Sequence, residues 1–470
     1  MSAKMQPQKT FRMEWKKSTG SEMPLAKLQQ QRLDRMIACA RSHSPFYRQL
    51  YQHLPASGVA LHDLPPTTKT QLMEAFDAWA TDPAVSRASV DAFIRDKRLV
   101  GQRYLGKYSV WTTSGTTGEP GIFLQDAAAQ RIYNRLLILR GFRSWLTWGD
   151  LAAMLQRGFH CTMILAVGDH YAGAANWARV QRSLGPFADR LRIFPILEPL
   201  PALVARLNAF RPVIIISYPS VLALLAGEQS AGRLNIQPFV LCSLGEGLDE
   251  PARQKIESAF PKSHLVDIYA ASEFLCIGFE CSQHWLHANS DWVLLEPVDA
   301  DHQPVPAGQP SANVLLTNLA NRVQPILRYS LGDSVTFKPE PCPCGNPLPA
   351  FRVAGRTDET MIFPARTAGN VAVLPMAIAS VVEQVPGVLR YQIIQTAPDQ
   401  LKVRLEVEPG VEREAVWDVT AAGLQAFFAN QGAVTIGVAL AGEAPQANPV
   451  SGKFRHVYKE RWDAEESSVA

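Results

Sequence analysis

The chain has 470 residues, which is longer than single hydrophobic cores usually grow, so its length predicts at least two domains. Its 46 Lys and Arg residues nearly balance its 43 Asp and Glu residues, and no block of like charge stands out. This balance argues against a nucleic-acid groove or an anionic membrane surface as the partner and favours a small molecule.

The sequence shows neither a membrane-spanning run nor a secretory signal. No apolar run reaches the ~18 residues that cross a bilayer, and the first residues lack the apolar stretch of a signal peptide. We therefore expect a cytoplasmic protein. Its seven cysteines are too few for a disulfide scaffold in so long a chain, and their odd number fits reduced thiols.

The hydrophobic spacing changes between the N-terminal hundred residues and the segment that begins near Leu191. Apolar positions between residues 25 and 100 recur every three or four residues, which predicts a helical segment over about residues 1–100. From Leu191 onward, β-branched runs such as VIIISYP alternate with amphipathic stretches such as LPALVARLNAF. This alternation predicts βαβ units and a mostly parallel sheet covered by helices.

Two further changes of pattern follow along the chain. Residues 292–337 consist of strand-like runs separated by Pro and Gly turns, which predicts an antiparallel β subdomain. After the sequence GRTDET at residues 355–360, helix-like and strand-like stretches predict a small α+β domain. We therefore expect an α/β fold with a large N-terminal domain over residues 1–357 and a small C-terminal domain over residues 358–470.

The stretch WTTSGTTGEPGIF at residues 111–123 is rich in hydroxyl groups and glycine. Glycine adopts backbone angles that other residues avoid, so consecutive amides can converge on one point, and hydroxyls add further donors. Such a loop suits a polyphosphate, although an ordinary β-turn or a surface loop is the alternative. It is not a Walker A loop, since no Gly-Lys-Ser/Thr follows. The residues expected to bind phosphate are Thr113, Ser114, Gly115, Thr116, Thr117 and Gly118.

Short motifs spread over the chain resemble, in order, the signatures of the adenylate-forming superfamily, which includes the acyl-CoA synthetases. The loop sequence TSGTTGEPG is most similar to the phenylacetate-CoA ligase and coenzyme F390 synthetase-like branch of that superfamily. The later motifs are GEG at 245–247, YAASE at 269–273, RYSLGD at 328–333, GRTDE at 355–359 and SGK at 451–453.

This resemblance implies a nucleotide site and a hinge. Adenine is expected to lie against the GEG segment, and the aspartate of RYSLGD is expected to take both ribose hydroxyls, because a carboxylate has two acceptor oxygens. A hinge in GRTDE would let the small domain rotate between half-reactions. The implied nucleotide-binding residues outside the loop are Gly245, Glu246, Tyr269, Ser272, Asp333 and Arg356, with Asp358 at the hinge.

The implied chemistry is adenylation of a carboxylic acid. The carboxylate attacks the α-phosphate of ATP, pyrophosphate leaves, and the acyl-AMP then accepts a nucleophile. Two anions react in the first step, so charge neutralisation and fixed positions are needed. The residues expected to supply them are Glu273, as the Mg²⁺ ligand, Lys453, as a mobile cation, and Thr116 of the loop.

The sequence leaves the acid and the acceptor open. An acyl pocket near residues 243–247 and 269–274 would be lined by Tyr269 and Phe274, with Phe142 or Trp145, and would suit an aromatic or other apolar acid. The expected acceptor is the thiol of CoA. A carrier-protein thiol, an amine, AMP transfer as in F390 synthetase, and a nucleotide-binding protein without catalysis stay as alternatives. A homodimer is also left open.

Two residues depart from the family pattern. Many relatives have Lys after the second glycine of the loop, where this chain has Glu119. An acid facing the triphosphate would repel it, so we expect Glu119 to point to solvent or the loop to move. Ala270 replaces the usual Gly of the YAASE motif.

Cysteines and histidines cluster in ECSQHWLH and PCPCGN. Three thiolates and one imidazole could form a closed, tetrahedral and therefore structural Zn²⁺ site joining the two segments. Free thiols near the surface are the alternative. The chosen ligands are Cys281, His287, Cys342 and Cys344, with His284 in reserve.

Overall fold

The fold is given by a computed structural model, which describes residues 23–113, 120–142, 145–165, 167, 170–196, 198–245, 248, 250–354, 361–373, 375–446 and 456–460. Most of the described chain belongs to helices and strands around one extended hydrophobic core. Within these residues, no helix is both long enough and apolar enough to cross a membrane.

The helices are numbered along the described chain. The α-helices are α1 Leu25–His43, α2 Pro45–Leu50, α3 Lys69–Glu74, α4 Phe76–Trp79, α5 Arg87–Arg95, α6 Ala127–Leu136, α7 Trp148–Gln156, α8 Ala172–Ser183, α9 Leu200–Phe210, α10 Pro219–Ser230, α11 Glu250–Ala259, α12 Pro375–Glu383 and α13 Arg413–Asn430. A π-helical turn covers Leu137–Phe142, and 3-10 turns cover Leu61–Asp63, Lys97–Leu99 and Gly185–Arg190.

The strands form five sheets. They are β1 Arg103–Tyr104, β2 Tyr108–Thr112, β3 Ile122–Gln125, β4 Cys161–Leu165, β5 Leu191–Pro195, β6 Ile214–Ser217, β7 Val240–Leu244, β8 His264–Tyr269, β9 Gly278–Glu280, β10 Leu286–Ala288, β11 Val293–Val298, β12 Asn313–Asn318, β13 Tyr329–Ser330, β14 Ser334–Phe337, β15 Ala350–Ala354, β16 Met361–Pro364, β17 Asn370–Val373, β18 Val388–Ala397, β19 Gln400–Val407, β20 Gly437–Leu440 and β21 Val457–Lys459.

The predicted helical segment at the N-terminus is confirmed for its described part. In α1 the buried residues recur at helical spacing, as Leu33, Met36, Ile37 and Ala40. The helix ends at Ser44, whose side chain accepts a hydrogen bond from the Tyr47 amide and so caps α2. This segment packs its apolar face on the rest of the protein.

The central sheet has nine strands in the order β14-β15-β10-β9-β8-β7-β6-β4-β5. Strands β5, β4, β6, β7 and β8 are parallel, whereas the pairings from β8 to β14 are antiparallel. The predicted parallel βαβ region is present, but the sheet as a whole is mixed, with four parallel and four antiparallel pairings. Strand β4 was not predicted, although its residues are all buried, as is typical of a strand covered on both faces.

The strand order places a topological switch point beside β4. The next strand in the chain, β5, lies on one side of β4, and β6 lies on its other side. In open α/β sheets ligands bind at such a point, outside the carboxyl ends of the strands. This edge of the sheet carries the residues that follow Leu165, Ser217, Leu244 and Tyr269.

The antiparallel region is divided between two sheets. Strands β11, β12 and β13 form a separate three-stranded sheet, whereas β14 joins the central sheet through β15. Another three-stranded sheet, β1-β2-β3, contains the hairpin whose loop covers residues 113–121.

The C-terminal part contains a β16-β17 hairpin and a four-stranded sheet in the order β20-β19-β18-β21. The predicted helices α12 and α13 and strands β18, β19 and β20 are present. Val416, Thr420, Leu424 and Phe427 form a buried stripe on α13. The domain boundary near residue 357 stays a prediction, because residues 355–360, including Arg356 and Asp358, lie outside the described residues.

Candidate nucleotide-binding site

The base of the hydroxyl-rich loop lies at the carboxyl end of β4. The Thr112 amide donates to the His170 carbonyl at 2.8 Å, just after β4, and Thr112 also pairs with Tyr171. Across the loop, the Thr113 amide donates to the Gly121 carbonyl and the Gly121 amide donates to Thr113 Oγ1, each at 2.9 Å. Both ends of the loop are therefore fixed beside the switch point.

Five of the six predicted phosphate-binding residues cannot be placed. Ser114, Gly115, Thr116, Thr117 and Gly118 lie outside the described residues, as does Glu119. Their roles, and the expected orientation of Glu119, stay predictions.

The segment after β8 is attached to the open end of this hairpin, opposite the loop. Gln125 at the end of β3 donates from Nε2 to the Ser272 carbonyl at 3.0 Å. Asn318 at the end of β12 donates from Nδ2 to the Glu273 carbonyl at 2.8 Å, and the Glu273 side chain lies in a buried position. Ser272 and Glu273 are thereby fixed between two sheets.

A buried tyrosine joins these two supports. The Tyr133 hydroxyl donates to Gln125 Oε1 at 3.1 Å and accepts from Asn318 Nδ2 at 3.0 Å. Burial raises the pKa of Tyr133, so its hydroxyl stays protonated and can donate. The sequence motifs did not indicate Gln125, Tyr133 or Asn318. The sequence feature that could have identified them is a polar side chain at the end of an apolar strand or on the buried face of a helix.

Tyr269 and Asp333 contact each other directly although 64 positions separate them in the sequence. The Tyr269 hydroxyl donates to Asp333 Oδ2 at 2.5 Å, and the ring of Tyr269 packs edge-on against Phe351. Asp333 is 8% exposed. A carboxylate can accept about four hydrogen bonds, so this contact orients Asp333 and leaves it able to accept more.

The segment before Asp333 is held in place by Arg328, the first residue of the RYSLGD motif. Arg328 has a left-handed φ of 45°, which is uncommon for residues other than glycine. Its guanidinium donates to the Leu64 carbonyl at 2.6 Å and to the His62 carbonyl at 3.0 Å, and it pairs with Glu296 at 3.1 Å. Burial raises the pKa of Glu296, an effect that Arg328 partly offsets. The motif arginine therefore anchors the Asp333 segment to the N-terminal helices.

Gly245 directly follows strand β7 and has a backbone conformation that favours glycine. Its φ is +82°, and a Cβ there would lie 2.9 Å from the ring of Tyr218. The backbone of Gly245 therefore packs directly against the ring of Tyr218 at the carboxyl edge of the sheet. Glu246, the other residue expected near adenine, lies outside the described residues.

A second group of buried polar side chains lies on the adjacent strands β7, β8 and β9. Ser243 donates to Asp267 Oδ1 at 2.8 Å, and the Asp267 amide donates to Glu280 Oε2 at 3.0 Å. Burial raises the pKa of Asp267 to about 7. Arg253 forms an ion pair with Glu280. The sequence motifs indicated none of these residues as functional.

Two residues expected to line an acyl pocket belong elsewhere. Phe274 is fully buried and packs edge-on against Tyr133 at a centroid distance of 4.9 Å, so it is part of the core. Trp145 packs against His264 at the amino end of β8, which is the opposite end from Tyr269. The aromatic lining of the proposed pocket is therefore reduced.

The predicted zinc ligands lie together. One ligand atom from each of Cys281, His287, Cys342 and Cys344 lies within 4.8 Å of the others. The sulfurs of Cys281 and Cys342 are 3.7 Å apart, and Cys344 Sγ lies 3.3 Å from His287 Nε2. At a Zn–S distance near ~2.3 Å, tetrahedral ligands fall at separations of this size.

The surroundings of the four residues also fit a metal ion. His287 Nδ1 lies 2.7 Å from the Leu348 carbonyl, which selects the tautomer that leaves Nε2 as the ligand. The amides of Gln283 and Asn346 donate to the sulfurs of Cys281 and Cys344, both at 3.4 Å.

Burial raises the pKa of the Cys281 thiol and raises the pKa of Cys344 to about 12, and a bound metal ion would favour the thiolates. The reserve ligand His284 is not part of this group. Its Nδ1 lies 3.2 Å from Glu280 Oε1.

The C-terminal part contacts the switch-point edge. The Tyr171 hydroxyl donates to Glu383 at the end of α12, and the Tyr391 hydroxyl donates to the other oxygen of Glu383 at 2.8 Å. A largely apolar cleft between the two parts includes Ile164, Ile196, Val373, Ala377 and Phe427. Lys453 lies outside the described residues.

Comparison with known proteins agrees with this arrangement. No protein-family model matches the chain. Among curated proteins, a phenylacetate-coenzyme A ligase from Thermus thermophilus is 26% identical over 413 residues, covering 83% of this chain and 83% of the relative.

Solved structures share the fold. A crystal structure of 2-hydroxyisobutyryl-CoA ligase with 2-HIB-AMP and CoA in the thioesterification state matches with a TM-score of 0.56 at 22% identity, covering 93% of this chain and 91% of that chain. The same ligase in the postadenylation state with R3-HIB-AMP matches with a TM-score of 0.53 at 21% identity, covering 92% of this chain and 89% of that chain. The chain thus shares the fold of 2-hydroxyisobutyryl-CoA ligase, and the curated match to a phenylacetate-coenzyme A ligase agrees with the branch that its motifs resemble.

Proposed function

We propose that the chain activates a carboxylic acid with ATP and transfers the acyl group to the thiol of CoA. The observation that carries this proposal is the contact between Tyr269 and Asp333 at the carboxyl end of β8. The base of the loop lies at the carboxyl end of β4, so these motifs share the carboxyl edge of the central sheet, where α/β proteins bind nucleotides. The CoA ligases similar to this chain support the reaction class.

The proposed first half-reaction forms a mixed anhydride. A carboxylate oxygen attacks the α-phosphorus, the bond from that phosphorus to the bridging oxygen breaks, and pyrophosphate leaves. Asp333 accepts hydrogen bonds from the ribose hydroxyls, and the loop at residues 113–118 donates to the β- and γ-phosphates. Glu273 would hold Mg²⁺, which neutralises phosphate charge when it is bound.

The proposed second half-reaction forms the thioester. The sulfur of CoA attacks the acyl carbon of the acyl-AMP, the thiol proton passes to solvent or a nearby base, and AMP leaves. Rotation of residues 358–470 about Asp358 would replace Lys453 by another face of the small domain. The acid is proposed to be aromatic or otherwise apolar.

We also propose that Cys281, His287, Cys342 and Cys344 bind a structural Zn²⁺. Four protein ligands leave no open position for catalysis. The site would fix the connection between β14 and β15 onto the β9–β10 hairpin. Strand β14 begins directly after Asp333, so the metal would also stabilise the ribose-binding segment.

The reaction class is tested with two assays on the purified protein. A panel of aromatic and aliphatic acids is offered with ATP, Mg²⁺ and labelled pyrophosphate, and the formation of labelled ATP is measured. We expect acid-dependent exchange, and thioester detectable by mass spectrometry when CoA is added. No exchange with any acid would contradict adenylation, whereas exchange without thioester would contradict CoA as the acceptor.

Replacing Asp333 by Ala is expected to raise the KM for ATP by about 10- to 100-fold, because a charge-assisted pair of hydrogen bonds to the ribose is lost. Tyr269→Phe is the matched control: it removes the hydroxyl that contacts Asp333 but keeps the carboxylate, and its KM should change less. Initial rates of exchange at varied ATP measure both. Equal KM values for Asp333→Ala and the unmodified protein would exclude Asp333 from the nucleotide site.

A further inference from the structure

Three arginines lie in the region where α8 packs against the turn before β1. Arg179 and Arg182 are three positions apart on α8 and therefore share one face. Arg182 Nη1 lies 2.8 Å from the position that a Cβ on Gly101 would occupy, two residues before Arg103. The positive charge of Arg103 also acts on Arg179. We call these three residues, Arg103, Arg179 and Arg182, the arginine cluster.

No carboxylate neutralises the arginine cluster within the described part of the chain. Neither α8 nor the segment KRLVGQRY at residues 97–104 contains Asp or Glu. Arg179 donates from Nη2 to Asn176 at 2.9 Å, but its buried Nε finds no partner among the described residues. Burial and the charge of Arg103 lower the pKa of Arg179. By contrast, the nearby Arg98 is paired with Asp96 at 2.7 Å.

A bound anion would stabilise this arrangement. Like charges repel, and a buried donor without an acceptor is unfavourable. The side chains of Arg103 and Arg182 are exposed, so a ligand from solvent can reach them. Guanidinium groups bind phosphate oxygens through paired hydrogen bonds, which makes a phosphate the anion that best fits the cluster.

The position of the cluster relative to the nucleotide site follows from helix and strand geometry. From Ala172, beside the base of the loop, to Arg179 the helix rises by about 10 Å. From Thr112 back to Ser109, the partner of Arg103, strand β2 also spans about 10 Å. The cluster is therefore outside the ATP site but within reach of a long ligand whose other end reacts there.

We propose that the arginine cluster binds the phosphate groups of CoA. In CoA the long pantetheine arm separates the reactive thiol from the diphosphate and the 3′-phosphate, which matches a reaction centre and a distant cationic site. This inference rests on the proposed function, because CoA is the acceptor only there. It goes beyond the proposed function by naming the residues that would bind CoA more tightly than thiols without phosphate groups.

The test compares Arg179→Gln and Arg182→Gln with Arg98→Gln, a neighbouring arginine whose charge is already paired. Thioester formation is measured with CoA, with dephospho-CoA and with pantetheine, and pyrophosphate exchange reports on folding and on adenylation. In the two cluster variants we expect the KM for CoA to rise about tenfold or more, because a charge-assisted contact is lost. We expect the cluster variants to keep the normal rate of pyrophosphate exchange and the normal KM for pantetheine. We expect Arg98→Gln to keep the normal KM for CoA.

Each other outcome contradicts a defined part of the inference. An unchanged KM for CoA in both cluster variants, with normal thioester formation, would remove the cluster from CoA binding while leaving the proposed function intact. Exchange without any CoA thioester in the unmodified protein would contradict the proposed acceptor. Faster transfer to a carrier-protein phosphopantetheine, lost in the cluster variants, would assign the cluster to a carrier protein and overturn the assignment to CoA.

Discussion

Lys453→Ala is expected to lower the rate of acid-dependent pyrophosphate exchange by about 10²- to 10³-fold, the loss that follows removal of one group that stabilises transition-state charge. The lysine is proposed to bridge the attacking carboxylate and the α-phosphate as negative charge is redistributed between them. Thermal unfolding should be unchanged. The measurement is the initial exchange rate at saturating ATP and acid.

Two comparisons separate catalysis by Lys453 from a general effect on the C-terminal part. Lys459→Ala, a nearby lysine in β21, should retain the exchange rate. When preformed acyl-AMP and CoA are supplied to Lys453→Ala, thioester should form at nearly the normal rate, since the small domain is proposed to rotate before this step. Normal exchange in Lys453→Ala would remove this residue from the mechanism.

Cys344→Ser is expected to abolish zinc binding and to lower the free energy of unfolding by more than about 4 kcal/mol, as losses of structural metals do. The metal content is measured by elemental analysis, with one zinc per chain expected in the unmodified protein. Unfolding is followed in urea with and without a chelator. The chelator should destabilise the unmodified protein and have little effect on the variant.

The controls for the zinc site test the choice of ligands. His284→Ala should keep the metal, because this side chain contacts Glu280 and lies outside the group of four. Cys39→Ser, which changes a cysteine of α1, should also bind zinc normally. Loss of zinc in His284→Ala, or zinc-free protein with normal stability, would contradict the proposed site.

Much of the fold was predictable because hydrophobic spacing is a local signal. The alternating strands and helices after Leu191 and the helices of the N-terminal segment follow from that spacing. Strand β4 was missed because a short, fully buried strand has no periodicity that separates it from a buried helix segment. The short strands β9 and β15 were also missed; they are defined by pairing with strands far along the chain.

The candidate site was predictable only where chemistry requires particular residue types at fixed spacing. The four proposed zinc ligands are an example, since closely spaced cysteines and histidines are visible in the sequence and the structure brings them together. The supporting residues Gln125, Tyr133 and Asn318 did not, because their hydrogen bonds join positions that only the folded chain brings together. Arg328 belongs to a recognised motif, but its contacts with the N-terminal helices depend on tertiary packing.

The most direct test of the central claim is a crystal structure with Mg²⁺ and a non-hydrolysable analogue of the acyl-AMP. The account predicts that the ribose hydroxyls lie within hydrogen-bonding distance of the Asp333 carboxylate, with adenine beside Gly245 and the phosphate facing residues 113–118. A nucleotide bound in another cavity, with Asp333 still contacted only by protein groups, would contradict the proposed adenylation site.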